Sequence, residues 1–328
     1  ILFKMTLALG TLITISANSW MGMWLGLEIN LLSIIPLMSN TKNKMESEAA
    51  LKYFITQTIA SMVLLLSIIL ILMKTQNNYT HPLTLMLTSA ILTKMGAAPF
   101  HFWFPEVMEG LNWMNSLIML TWQKIAPMII LTYMEKLTTF LSLIIIWSMI
   151  ISSIMGINQT SLRKIMAYSS INHIGWMISS TLVSQSSWII YLTTYSVISI
   201  TIVLTLNKLN VYTINQMMTS MEGKSWTKIL FTMNFFSLGG LPPFLGFLPK
   251  WITINFLVES KLLLLTLMMI ILTLITLYFY MRLIMAPMSL STSKPTLKTN
   301  KLSTMEETLM NTIMISSLII TPLLMSFI

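Results

Sequence analysis

The chain has 328 residues, of which 55% are hydrophobic and only 9% charged, with a formal net charge of +9 and a mean hydropathy of +0.79. Soluble domains carry about 25% charged residues, so this chain lacks the charge to cover a soluble surface and reads as an integral membrane protein. The absence of cysteine excludes disulfides, iron–sulfur ligation and thiolate chemistry, and the three histidines (His81, His101 and His173) lack the close spacing of a haem or zinc site.

A helix needs about 20 apolar residues to cross a hydrocarbon core about 30 Å thick. Backbone polar groups in lipid must be paired within their own segment, so such runs fold as helices. Eleven runs satisfy this in chain order: about 2–18, 20–39, 49–73, 83–104, 111–134, 138–157, 162–183, 187–209, 227–257, 262–285 and 308–327. Ile1 already heads an apolar run, and no charged leader with a small-residue cleavage site precedes it, so a signal peptide is not expected. Counting Lys and Arg on alternate sides of the eleven spans gives thirteen on the N-terminal side against three on the other (Lys74, Lys136 and Lys261). The positive-inside rule then places the N-terminus on the cytoplasmic or matrix side, and the odd number of spans places the C-terminus opposite. The basic balance is explained by topology and anionic lipid, and calls for no nucleic-acid partner.

Two spans contain repeated punctuation. The fourth reads Gly96-Ala97-Ala98-Pro99-Phe100-His101-Phe102-Trp103-Phe104-Pro105, and the ninth reads Gly240-Leu241-Pro242-Pro243-Phe244-Leu245-Gly246-Phe247-Leu248-Pro249. Glycine, Pro-Phe and the second proline recur at an offset of 144 residues. A proline inside a helix removes a backbone hydrogen bond and clashes with the preceding turn. Irregular backbone at membrane depth is tolerated only where protein or a wet cavity covers it. The two copies lie an odd number of spans apart, so the expected architecture is two inverted five-helix repeats, 1–135 and 136–287, each with a broken helix. Residues 288–328 add a loop and one C-terminal helix. Inverted repeats with broken helices build ion-coupled transporters; two ordinary proline kinks are the plainer alternative.

Four charges fall inside predicted spans: Glu28 in the second, Lys94 just before the first break, Lys124 in the fifth, and Lys250 directly after the second break. A charge at the bilayer centre costs about 2.5–3.5 kcal/mol on insertion scales, so these side chains are expected to face the bundle interior. Burial and neighbouring charge act oppositely on a lysine, and a lysine balanced between them can gain and lose a proton. A purely structural Glu28–Lys94 ion pair and snorkelling of Lys250 are the competing readings. His173 shares a helical face with Ser169 and Trp176, and a relay role and a satisfied core histidine both fit it; His101 at the first break is similar. Glu106 and Glu109 read as surface residues, and Arg163 and Lys164 as topology determinants.

The segments Trp20–Asn30, Ser47–Gln57, Lys94–Glu106, Leu120–Pro127, Asn158–Trp176, Ser237–Trp251 and Leu277–Leu283 resemble the chain 2 family of antiporter-like membrane-arm subunits of mitochondrial respiratory complex I. Gly-Gly-Leu-Pro-Pro-Phe-Leu-Gly-Phe-Leu-Pro-Lys-Trp (239–251) and Asn-Gln-Thr-Ser-Leu-Arg-Lys-Ile-Met-Ala-Tyr-Ser-Ser-Ile (158–171) carry the resemblance most specifically. It implies a proton-translocating subunit of the mitochondrial inner membrane, N-terminus in the matrix and C-terminus in the intermembrane space. Glu28 would pair with Lys94 as the pumping lysine, Lys124 would pass the proton on, and Lys250 would be the outer lysine. The resemblance further implies that NADH, FMN, iron–sulfur clusters and ubiquinone belong to other subunits. This chain would bind no cofactor or metal and would act only with the other membrane-arm subunits and membrane lipids. A stand-alone sodium/proton antiporter and a structural scaffold with vestigial charges remain as alternatives.

Overall fold

A computed structural model describes residues 2–40, 43–73, 80–220 and 225–289. The expected eleventh span at 308–327, and the loop before it, lie outside the described residues. Every regular element among the described residues is a helix: α1 Leu2–Ser16, α2 Trp20–Met38, α3 Lys44–Met73, α4 Thr80–Met95, α5 Trp103–Gly110, α6 Trp113–Leu120, α7 Ile125–Tyr133, α8 Thr138–Ile157, α9 Leu162–Val183, α10 Gln185–Leu209, α11 Ile214–Ser220, α12 Ser225–Gly239, α13 Phe247–Glu259 and α14 Leu263–Ser289. A 3-10 turn, Trp122–Lys124, joins α6 to α7. By length and apolarity, six stretches of the described residues can cross a membrane: Trp20–Met38, Lys44–Met73, Trp113–Tyr133, Thr138–Ile157, Gln185–Leu209 and Leu263–Met285. The molecule is an all-helical, multi-pass membrane protein.

Helices α8 and α9 have the bounds expected at 138–157 and 162–183, and of the two only α8 is among the six apolar stretches. Helix α3 starts five residues before the expected 49. Its polar first turns are helical because Glu46 lies in the first turn and accepts a hydrogen bond from Asn43 Nδ2 at 2.8 Å. The run expected at 111–134 is interrupted at Trp122–Lys124, a break the apolar pattern did not signal. Its cause is local: Pro127 has no N–H to give the Gln123 carbonyl one helical turn back.

The chain divides into two compact units, Ile1–Ser148 and Met149–Ile328, with the division falling inside α8. In the first, α1 and α2 cross with their backbones touching. A Cβ on Gly26 would meet the Thr14 nitrogen at 2.8 Å and the Gly10 oxygen at 2.9 Å, so only glycine permits this approach. Helix α3 packs against α2, α4 and α5, and α7 packs against α1 and α4. In the second unit α9 is the central element: nineteen of its 22 residues are buried, with α10 and α13 packed on it. A helix enclosed by protein needs no apolar outer face. It therefore carries Ser169, Ser170, Ser179, Ser180 and Thr181, whose hydroxyls donate to carbonyls three residues back.

Candidate functional site

Both expected breaks are present, and they are closed by the same backbone device. Helix α4 ends at Gly96, whose φ of +76° places it in the left-handed region. Gly96 N–H donates to Thr93 O at 3.1 Å and Ala97 N–H donates to Leu92 O at 3.0 Å. Helix α12 ends at Gly240 with φ +75°; Gly240 N–H donates to Ser237 O at 3.0 Å and Leu241 N–H donates to Phe236 O at 3.3 Å. This pair of bonds is the Schellman arrangement, which needs a left-handed residue and so favours glycine.

Side chains also meet the helix-end carbonyls, and differently at the two breaks. At the first, Trp103 Nε1 donates to Thr93 O at 3.1 Å and Gln57 Nε2 donates to Lys94 O at 3.3 Å. Lys94 itself lies in the last turn of α4 and is 7% exposed. At the second, Lys250 reaches back from α13, and its ammonium donates to Gly239 O at 2.9 Å. Lys250 is 5% exposed and turned inward, and its Nζ lies 5.8 Å from the centroid of the Trp176 ring on α9. Both lysines thus stand at the C-terminal end of a helix, where the aligned peptide dipoles favour positive charge.

Lys124 closes the 3-10 turn and is 2% exposed. Each of the three interruptions among the described residues therefore carries one buried lysine. Glu28 is only half-buried on α2, on a face shared with exposed Leu25 and Leu32. It acts on Lys94 electrostatically, but the two side chains do not form a contact ion pair. His101 is buried at the first break, its Nδ1 3.3 Å from Pro99 O and its ring against Phe102. His173 is buried on α9, with Nδ1 2.8 Å from the Tyr191 hydroxyl and its ring centroid 4.9 Å from that of Tyr195. Trp176, whose ring faces the Lys250 ammonium, lies one turn along α9 from His173. Glu106 is exposed and ion-paired at 3.0 Å with Lys52, which also meets Glu48 at 3.0 Å.

Several polar partners at these sites were not singled out from the sequence. In the first unit these are Gln57, which donates to the Lys94 backbone carbonyl, and Asn30 and Tyr53, which bond Gln123 beside Lys124. In the second unit they are Tyr191 and Tyr195 against His173, and Asn172, whose Nδ2 donates to Thr276 Oγ1 at 3.4 Å. The Gln123-Lys124-Ile125-Ala126-Pro127 string held a readable signal, since proline four residues on removes a donor; the others depend on neighbouring helices alone. The described residues hold no cluster of three or more metal-ligating side chains.

Residues 17–276 match the family model described as NADH:quinone oxidoreductase/Mrp antiporter, transmembrane. The chain is 47% identical over 285 residues to NADH-ubiquinone oxidoreductase chain 2 of Locusta migratoria, covering 86% of this chain and 83% of that protein. It is 50% identical over 286 residues to the protein of that name from Anopheles gambiae, covering 86% and 84%. Against that of Dasypus novemcinctus it is 42% identical over 311 residues, covering 92% and 88%. The fold is similar to a chain of respiratory complex I from Thermus thermophilus with bound aureothin, at a TM-score of 0.83 and 21% identity, covering 98% of this chain and 76% of that one. It is also similar to a chain of the Mrp complex from Dietzia sp. DQ12-45-1b, at a TM-score of 0.79 and 14% identity, covering 91% and 62%. The chain belongs to the NADH:quinone oxidoreductase/Mrp antiporter family and, within it, to the group of NADH-ubiquinone oxidoreductase chain 2.

Proposed function

We propose that this chain is a proton-translocating, antiporter-like subunit of respiratory complex I in the mitochondrial inner membrane. NADH oxidation and ubiquinone reduction on other subunits drive it, and it holds no redox centre or cofactor of its own. The observation that carries this reading is the coincidence of three helix interruptions with three buried lysines, Lys94, Lys124 and Lys250. Intramembrane charges are expensive, and those kept at broken helices mark ion pathways.

In this reading Glu28 receives an electrostatic signal from a neighbouring membrane-arm subunit. Its half-exposed carboxylate sits within an apolar helix face, and a partner subunit covering that face would remove it from lipid. The signal changes the proton affinity of Lys94, and a proton moves on through Lys124 to Lys250, with His173 and His101 as further candidate members of the path. The full architecture would be eleven spans in two inverted repeats, 1–135 and 136–287, with 288–328 supplying the last span. The N-terminus would face the matrix and the C-terminus the intermembrane space. The repeat is supported by the matching Schellman closures at Gly96 and Gly240.

The test is proton pumping by reconstituted complex carrying Lys94→Ala or Lys124→Ala. Fewer protons moved per NADH oxidised, with assembly intact, is the expected outcome; an unchanged ratio would sink the relay. The fold likeness to the Mrp complex chain favours a second reading, an antiporter module working without NADH. Copurification of flavin and iron–sulfur subunits with the chain separates the two.

A further inference from the structure

The interruption at Trp122–Lys124 is held in place by side chains from two other helices of the same unit. Gln123 Nε2 donates to Asn30 Oδ1 on α2 at 2.9 Å. Tyr53 on α3 donates its hydroxyl to Gln123 Oε1 at 3.5 Å. One helical turn further along α3, Gln57 donates to the Lys94 carbonyl at 3.3 Å, and the Tyr53 ring packs edge-on against Trp103 at 5.7 Å. Asn30, Tyr53 and Gln57 are all buried. The proline at 127 leaves the backbone at Gln123 without its helical partner, so the position of this turn is set by tertiary contacts rather than by the helix ladder.

We infer that Gln123 is a positioning residue that clamps the Lys124-bearing turn to α2 through Asn30 and to α3 through Tyr53, so that a movement of the Glu28-bearing helix reaches Lys124 without passing through Lys94. The inference rests on the relay reading given above. Its chemistry excludes the simpler idea that these groups are themselves the proton wire. A carboxamide accepts at oxygen and donates at nitrogen, and handing a proton from one to the other requires the unfavourable imidic tautomer. Gln123 and Asn30 therefore hold geometry and do not pass protons. Asn30 is two residues from Glu28, on the opposite, buried side of α2. A shift of α2 driven by charge at the half-exposed face is thereby delivered to the buried face. Coupling of this kind is established only by measuring interaction between the positions.

The experiment is a double-variant cycle in reconstituted complex with Gln123→Met, which keeps the side-chain length and removes the amide, Asn30→Leu, and the two together, with Lys124→Ala as reference. Each single variant is expected to oxidise NADH normally and move fewer protons per NADH. The pair is expected to lose no more than the worse single variant, and the exchanged pair Asn30→Gln with Gln123→Asn to recover part of the loss. A loss in the pair equal to the sum of the singles would overturn the clamp, as would single variants that pump fully while Lys124→Ala does not. If Lys124→Ala itself pumps normally, the relay reading fails and the clamp with it. Amounts of assembled complex and the pH profile of pumping separate positioning from stability, since a merely destabilised variant lowers yield without changing the profile.

Discussion

The two broken helices share a backbone and differ in where they keep their charge. At an offset of 144 residues, Lys250 corresponds to Glu106, which is exposed and paired with Lys52, and Lys94 corresponds to Leu238, which is buried. In the first break neutral donors, Gln57 and Trp103, satisfy the terminal carbonyls. In the second break the lysine ammonium takes that task at Gly239. A repeated backbone therefore does not imply a repeated site. One lysine stands next to a finished helix end, and the other finishes the end itself.

The sharpest way to break the comparison is at Gly246. A Cβ there would fall on the Ser237 carbonyl, whereas the corresponding residue of the first break is the exposed Phe102. Gly246→Ala is expected to destabilise the second break by about 3 kcal/mol, at the upper end of overpacking costs, and Phe102→Ala by under about 0.5 kcal/mol. Thermal unfolding of the assembled complex reads both.

Next comes the lysine pair. Lys250→Met leaves the Gly239 carbonyl without its donor, a loss of about 1–3 kcal/mol. Lys94→Met removes a buried charge whose neighbouring carbonyls are already met, so stability should hold or rise while proton pumping falls. A loss of stability at Lys94 as large as at Lys250 would erase the distinction.

The glycines then give a smaller contrast. Gly96→Ala and Gly240→Ala each place an L-residue at positive φ, costing about 1–2 kcal/mol. At Gly240 the new Cβ also meets Lys250 Cδ at 2.8 Å, while at Gly96 it meets the Phe104 Cβ at 3.2 Å. Protons per NADH should therefore fall more for Gly240→Ala at similar melting temperatures. The smallest effect belongs to Lys52, whose exposed pairs with Glu48 and Glu106 are screened by solvent and salt. Lys52→Met should leave melting and pumping unchanged, and a salt-dependent loss of pumping would give the triad a part in proton transfer.

Much of this protein was legible in its sequence because membrane solvation is a local constraint. Apolar length placed α8 to the residue, and the recurrent Gly-Pro-Phe blocks located both breaks, since helix termination by glycine and proline depends on a few adjacent residues. The charged positions were readable for a related reason, because charge is rare and costly in such runs. What those charges touch was not readable. That Lys250 turns back to Gly239, that Glu28 stays half-exposed and apart from Lys94, and that α9 is buried on every side all follow from which helices lie alongside. The 3-10 turn at Lys124 is intermediate: Pro127 weakens the helix there locally, but Asn30 and Tyr53, distant in sequence, decide where the loosened turn is held. Solvation and backbone chemistry act through neighbours in the chain, whereas side-chain partners are chosen by packing between helices, and only the tertiary structure specifies that.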